Sequence, residues 1–172
     1  MRQQHGDGGA IFTNDDQVAD YLKSIRVHGK GSFKYDNIRI GWNSRLDTLQ
    51  AAILKVKFDA FVKYELDSVN HAAAKYTEVL SDKTPVIPEN YYSSWAQYTI
   101  QLKSREERDG LQQYLKENGI PSMVYYPKPM HEQKAFEEYK SKMVLGNTKQ
   151  LCNTVLSIPM HPYITEQEIS EV

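Results

Sequence analysis

Neither glycine nor proline occurs between Gly41 and Pro85. These two residues are the usual interrupters of a helix, so their absence over so long a stretch limits the chain more than any other feature. Within the stretch Leu46, Leu49, Ile53, Val56 and Ala60 step by threes and fours, which draws a narrow apolar stripe. Val69, Ala73, Tyr76 and Leu80 carry the pattern on. The spacing predicts one long helix, or two with a kink, over 45–81. At 1.5 Å per residue such a rod is about 50 Å long. One small domain cannot cover it, so it is expected to connect two.

The flanks carry shorter signals. Gly6-Asp7-Gly8-Gly9 reads as a tight turn and Ala10–Thr13 as a short strand. Asn14 or Asp15 would cap a helix bearing Val18, Ala19, Leu22 and Ile25 that stops near His28-Gly29. Residues 30–44 read as a loop. After Pro85 and Pro88, Trp95–Leu102 alternates as a strand should. Ser104 with Glu107 has capping-box spacing, and the helix it opens ends at Asn118-Gly119. Ile120–Tyr126, interrupted by Pro121, reads as a second strand, 131–140 and 146–154 as helical, and Val155–Ile158 as a third strand. Thr165 and Glu168 form another capping box close to the last residue, Val172, so the C-terminus looks cut. The order of elements from residue 95 onward predicts an α+β fold, a small sheet with helices on one face.

Composition narrows the function classes. Lysine and arginine total 21 against 22 acidic residues in 172, a net charge near −1, which argues against a dedicated nucleic-acid binder. No apolar run approaches the roughly 18 residues of a membrane helix, and the start lacks the apolar core of a signal peptide. The single cysteine, Cys152, excludes an internal disulfide and a thiolate-rich metal centre. A cytoplasmic protein is expected.

Candidate chemistry is sparse. The Gly6–Gly9 turn lacks the spacing of a dinucleotide site or a P-loop, and a plain turn is favoured over a phosphate cradle. The five histidines, His5, His28, His71, His131 and His161, are dispersed, and no metal site is expected. His131 lines a cleft or caps a helix. Cys152 reads as a buried structural thiol. Tyr91-Tyr92 and Tyr125-Tyr126 either face a sugar or form the edges of the core, the latter being favoured. Asn43 and Arg45 stand at the entry to the long helix, where free N–H groups and the helix dipole favour anions. They hold a phosphate or carboxylate there, or else Asn43 or Ser44 caps the helix and Arg45 makes a surface ion pair.

Taken together, the motifs resemble the DegT/DnrJ/StrS family of sugar-nucleotide aminotransferases. Gly6-Asp7-Gly8-Gly9-Ala10 is similar to the family's Gly-Asp/Glu-Gly-Gly-Ala strand. Gly41-Trp42-Asn43-Ser44-Arg45-Leu46-Asp47 resembles its Gly-x-Asn-x-Arg-Leu-Asp element. Gly119-Ile120 through Tyr125-Tyr126-Pro127 and Met130-His131 is similar to its Gly-Ile, His-Tyr, Leu-His segment, with Tyr125 where histidine is common. Leu156-Ser157-Ile158-Pro159-Met160-His161-Pro162 resembles its Leu-Ser-Leu-Pro-Leu-His-Pro.

The resemblance implies an enzyme of about twice this length, with pyridoxal 5'-phosphate (PLP) as cofactor and active sites between two subunits. Residues 1–44 would be a remnant of its large PLP-binding domain, 45–81 the connecting helix, and 82–172 its small α+β domain, a sandwich with a small, mostly antiparallel sheet. It implies amino transfer, with glutamate as donor, to a keto-sugar nucleotide in amino-sugar or polysaccharide biosynthesis, by a homodimer. Asn43 would reach the PLP phosphate of the neighbouring subunit, Arg45 the anionic side of the substrate, and Tyr126 and His131 the border of the nucleotide-sugar cleft. The Schiff-base lysine would fall at Met1 or before it. No lysine precedes Lys23, so the chain alone is expected to hold no covalent PLP and to be inactive. The alternatives are a non-catalytic dimerising or interaction domain, and a PLP-dependent sugar dehydratase relative in which histidine replaces the lysine. His5 does not match that position.

Overall fold

A computed structural model describes residues 8–33, 35–139 and 145–172. His5, Gly6 and Asp7 lie outside them, as does the end of the expected helical stretch 131–140. The chain divides into two compact units, Met1–Ala60 and Phe61–Val172.

In the first unit, α1 (Asp16–Ile25) is capped by Asp15, whose carboxylate accepts from the backbone N–H of Gln17 and Val18. The helix ends at Ile25, the last residue of its apolar spacing and a little before the stop expected near His28-Gly29, because the backbone of Ile25 and Arg26 turns to pair with residues 42–44. The strand expected at Ala10–Thr13 does not form. These residues have no ladder partner among the described residues, and Ile11 and Phe12 are exposed. The loop 30–44 is more ordered than a featureless connection, with bridges Lys30 to Asn37 and Val27 to Asn43. Then comes α2 (Thr48–Ala60), without one buried side chain.

The helical backbone continues into the second unit. Phe61–Glu65 adopts the wider π register, followed by α3 (Leu66–Leu80). Helix therefore runs over 48–80 with a wide turn inside it, close to the expected 45–81. Its start moves to Thr48 because Asp47, not an earlier residue, caps it. A face of Val69, Ala72, Ala73 and Tyr76 buries α3.

The sheet has two antiparallel strands, β1 (Tyr98–Gln101) and β2 (Val155–Ile158), in the register Tyr98 to Ile158 and Ile100 to Leu156. Period-2 alternation puts these four apolar residues on one face. There they meet Ala73 and Tyr76 of α3 and Leu115 of α4 (Arg105–Glu117) in the core. On the other face the hydroxyls of Thr99 and Ser157 lie 2.8 Å apart. The strand expected over Ile120–Tyr126 reduces to one bridge, Met123 to Ser157. Pro121 has no N–H to donate, which denies a ladder there.

Capping signals translate directly. Ser104 accepts from Glu107 N–H at the start of α4, and Gly119 follows its end at φ 76°. The box of Thr165 and Glu168 opens α6 (Glu166–Glu171). The stretch after Pro129 is two short 3-10 segments, Met130–Glu132 and Lys134–Tyr139, instead of an α-helix. The helix expected at 146–154 forms as α5 (Gly146–Thr154).

Candidate functional site

In the first unit the site is a strap, residues 37–44, held against the end of α1. Trp42 N–H donates to the Ile25 carbonyl at 2.7 Å, His28 N–H to the Trp42 carbonyl at 2.8 Å, and Ser44 N–H to the Arg26 carbonyl at 2.9 Å. Ile38 N–H donates to the Gly29 carbonyl at 2.9 Å. Two glycines permit this closeness. A Cβ on Gly41 would lie 2.2 Å from the Gly29 nitrogen and 2.5 Å from the Ile25 oxygen, both backbone atoms. Gly29 sits at φ 72°, and a Cβ there would lie 1.7 Å from the Arg39 oxygen. The glycine that opens the Gly-x-Asn-x-Arg element is therefore demanded by backbone contact. Arg39 braces the strap from its side chain, 4.9 Å over the Tyr21 ring.

This anchoring fixes the backbone at Asn43 and leaves its side chain exposed, with no partner among the described residues. Arg45 is likewise exposed and makes no ion pair with any described residue. Among the described residues Arg45 has no ion-pair partner, and neither Asn43 nor Ser44 caps the helix. Asp47 does so, accepting from Leu49 N–H at 2.9 Å and Gln50 N–H at 3.4 Å. Sequence reading missed this role, although an aspartate one residue before a helical run is itself a cap signal. An anion at this place would meet an amide and a guanidinium, while the first-turn N–H groups already face Asp47.

In the second unit Tyr126 is exposed and Tyr125 half-buried, their rings 6.0 Å apart and edge-on. The peptide bond between them is cis. His131, in the 3-10 turn Met130–Glu132, is half-buried with Nε2 4.0 Å from a Glu132 oxygen. Tyr91, Tyr92 and Tyr126 are exposed, which overturns the core-edge reading for them. Cys152 is half-buried on α5, less enclosed than expected, and its carbonyl accepts from Arg108 at 3.2 Å. No cluster of metal-ligating side chains occurs among the described residues, and none of their helices is long and apolar enough to cross a membrane.

The fold class is thus that of an α+β protein whose first unit presents an amide and a guanidinium on a pinned strap. The model of the DegT/DnrJ/EryC1/StrS aminotransferase family matches residues 4–172. The UDP-2-acetamido-2-deoxy-3-oxo-D-glucuronate aminotransferase of Pseudomonas aeruginosa is 42% identical over 168 residues, covering 96% of this chain and 45% of that protein. A pleiotropic regulatory protein of Geobacillus stearothermophilus is 41% identical over 172 residues, covering 95% and 45%. The crystal structure of a DegT DnrJ EryC1 StrS aminotransferase from Brucella abortus superposes with a TM-score of 0.86 at 43% identity, covering 93% of this chain and 43% of that one.

The chain belongs to the DegT/DnrJ/EryC1/StrS aminotransferase family. It spans about 45% of the length of the curated relatives it matches. The family's enzymes are PLP-dependent sugar aminotransferases. Asn43 fits one phosphate contact of that cofactor, as an exposed amide donor on a fixed backbone. Lys23, the first lysine of the chain, is engaged by Asp20 at 3.1 Å.

Proposed function

We propose that this chain supplies the C-terminal part of an aminotransferase that moves an amino group, from glutamate, onto a keto-sugar nucleotide for amino-sugar or polysaccharide synthesis. PLP, when bound, supplies the electron sink for that chemistry. Asn43 donates to its phosphate from the neighbouring subunit, and Arg45 pairs with the anionic side of the substrate. Tyr126 and His131 border the nucleotide-sugar cleft. Residues 1–44 belong with the large domain, and the working form is a cytoplasmic homodimer. The observation that carries this reading is the strap: a backbone held at both edges that presents Asn43, with Arg45 next to it, neither paired with any described residue.

No lysine precedes Lys23 within these 172 residues, so this reading expects them to carry no covalent PLP of their own. Borohydride reduction with PLP followed by peptide mass spectrometry is expected to label no single lysine. Stoichiometric label on Lys23 or Lys30 would overturn this. The reaction itself is tested in a chimera in which this chain replaces the matching part of the Pseudomonas enzyme. Amino transfer to the 3-oxo sugar nucleotide is expected, with Asn43→Ala weakening PLP retention about 10–100-fold, the loss of one hydrogen bond to a charged group. A folded chimera with unchanged PLP affinity in Asn43→Ala would remove Asn43 from the site.

A second reading, a non-catalytic dimerising module, rests on α2. Leu49, Ile53 and Val56 of its apolar stripe are all exposed there. A row of this kind invites a second copy. Sedimentation of the chain as a monomer at high concentration would count against dimers of either kind.

A further inference from the structure

Glu65 is out of place in its helix. It lies in line with Val69, Ala72, Ala73 and Tyr76 at steps of three and four, on the face that buries α3, and is itself 2% exposed. An apolar residue belongs there, because a carboxylate taken out of water costs several kcal/mol unless it is hydrogen-bonded. It is also the last residue of the π turn Phe61–Glu65, at the start of the second unit. Its oxygen Oε1 accepts from the hydroxyl of Tyr163, a residue 98 positions further along the chain. Hydrogen bonding to Glu65, and then to Tyr64, holds the Tyr163 phenol well above its ordinary pKa.

Tyr163 belongs to the segment between β2 and α6. Its N–H donates to Nδ1 of His161 at 3.2 Å, and Ile164 N–H donates to the His161 carbonyl at 3.3 Å. The capping box of α6 begins two residues later. The same tyrosine therefore touches the wide turn through its hydroxyl and the His161 segment through its backbone.

We propose that Glu65 and Tyr163 form a latch that keeps the turn at 61–65 in the π register and ties it to segment 159–165. Wide turns of this kind are less favourable than regular helix and persist where a tertiary contact selects them. The carboxylate is the acceptor that makes the selection. An apolar residue at 65 would pack as well and leave the turn free to tighten. Disturbance at either end is felt at the other, and His161 lies on the connected path. The latch is independent of the amino-transfer reading.

Hydrogen exchange by mass spectrometry tests it on the chain as it is. Tyr163→Phe removes the donor from a residue that is 59% exposed, so the fold is retained. Glu65→Leu removes the acceptor and keeps the apolar face, while Glu65→Gln retains an acceptor oxygen. Tyr163→Phe and Glu65→Leu are each expected to speed exchange at least tenfold in both 61–66 and 159–165, with α4 and β1 unchanged. Glu65→Gln is expected to stay within threefold of the parent. A rise below tenfold in either segment for the first two variants overturns the latch. So does an equal rise throughout the second unit, or a Glu65→Gln effect as large as that of Glu65→Leu.

Discussion

Two tyrosines share one core and differ in a single respect. Tyr76 and Tyr98 are 2% and 0% exposed, their ring centroids 5.2 Å apart. The Thr77 hydroxyl donates to the Ala73 carbonyl at 2.8 Å, so its only hydrogen is engaged and Tyr98 must be the donor in their 2.8 Å contact. The Tyr76 hydroxyl is buried with no hydrogen-bond partner among the described residues. Removing a satisfied hydroxyl costs about 0.5–1.5 kcal/mol, whereas a buried unsatisfied one carries a penalty of about 1–3 kcal/mol that its removal relieves. Tyr98→Phe is thus expected to destabilise the second unit by about 1 kcal/mol. Tyr76→Phe is expected to be neutral or to stabilise it by up to about 2 kcal/mol, less a small loss for the vacated volume. Urea unfolding of both variants at neutral pH measures the difference. Alkaline pH adds a second arm. Burial, then the charge of Glu168 and the neighbouring Tyr98, pushes the Tyr76 phenol up to about 12. An acid whose pKa is raised on folding contributes stability below its unfolded pKa, and that contribution is lost as pH climbs from about 10 towards the folded value. Tyr76→Phe should therefore lose less stability than the parent over that window. A Tyr76→Phe variant as destabilised as Tyr98→Phe at neutral pH would show that the hydroxyl has a partner and refute the reasoning.

Gly41→Ala places a methyl against the backbone of Ile25 and Gly29 and is expected to cost about 1–3 kcal/mol in the first unit, read as lost exchange protection at the Trp42, His28 and Ser44 amides. Leu115→Ala empties a core position that is 1% exposed, and should lower the second unit's stability by about 2–5 kcal/mol in chemical denaturation. Backbone and side-chain hydrogen bonds from Thr165 hold the Glu168 carboxyl below the usual glutamate range. Its support for α6 is present above that range and fades as pH falls through the lowered value. Glu168→Gln should accordingly flatten the acid dependence of exchange in α6, and an unchanged dependence would show the cap to be idle.

Much of the architecture is legible in local pattern. The helix over 48–80, the caps at Asp15, Ser104 and Thr165, the strands at 98–101 and 155–158, and the α+β class all follow from spacing and capping chemistry. These are short-range effects, carried by residues within one or two turns of each other, and a linear reading contains them. The strap motif was likewise visible as Gly41, Asn43 and Arg45.

What required the folded chain is whatever depends on partners far apart in sequence. Ala10–Thr13 is apolar enough for a strand, but a strand exists only where another lies beside it. Ile120–Tyr126 does lie beside β2 yet yields a single bridge, because Pro121 has no N–H to donate. Gly41 could be read as a motif residue, yet its necessity comes from the carbonyl of Ile25 lying against it. Glu65 gave no signal at all, since a glutamate within a helix reads as solvent-facing until a tyrosine 98 residues away is seen to donate its hydroxyl proton to it. Periodicity states which face of a helix is apolar. Only packing states which face is covered, and by what.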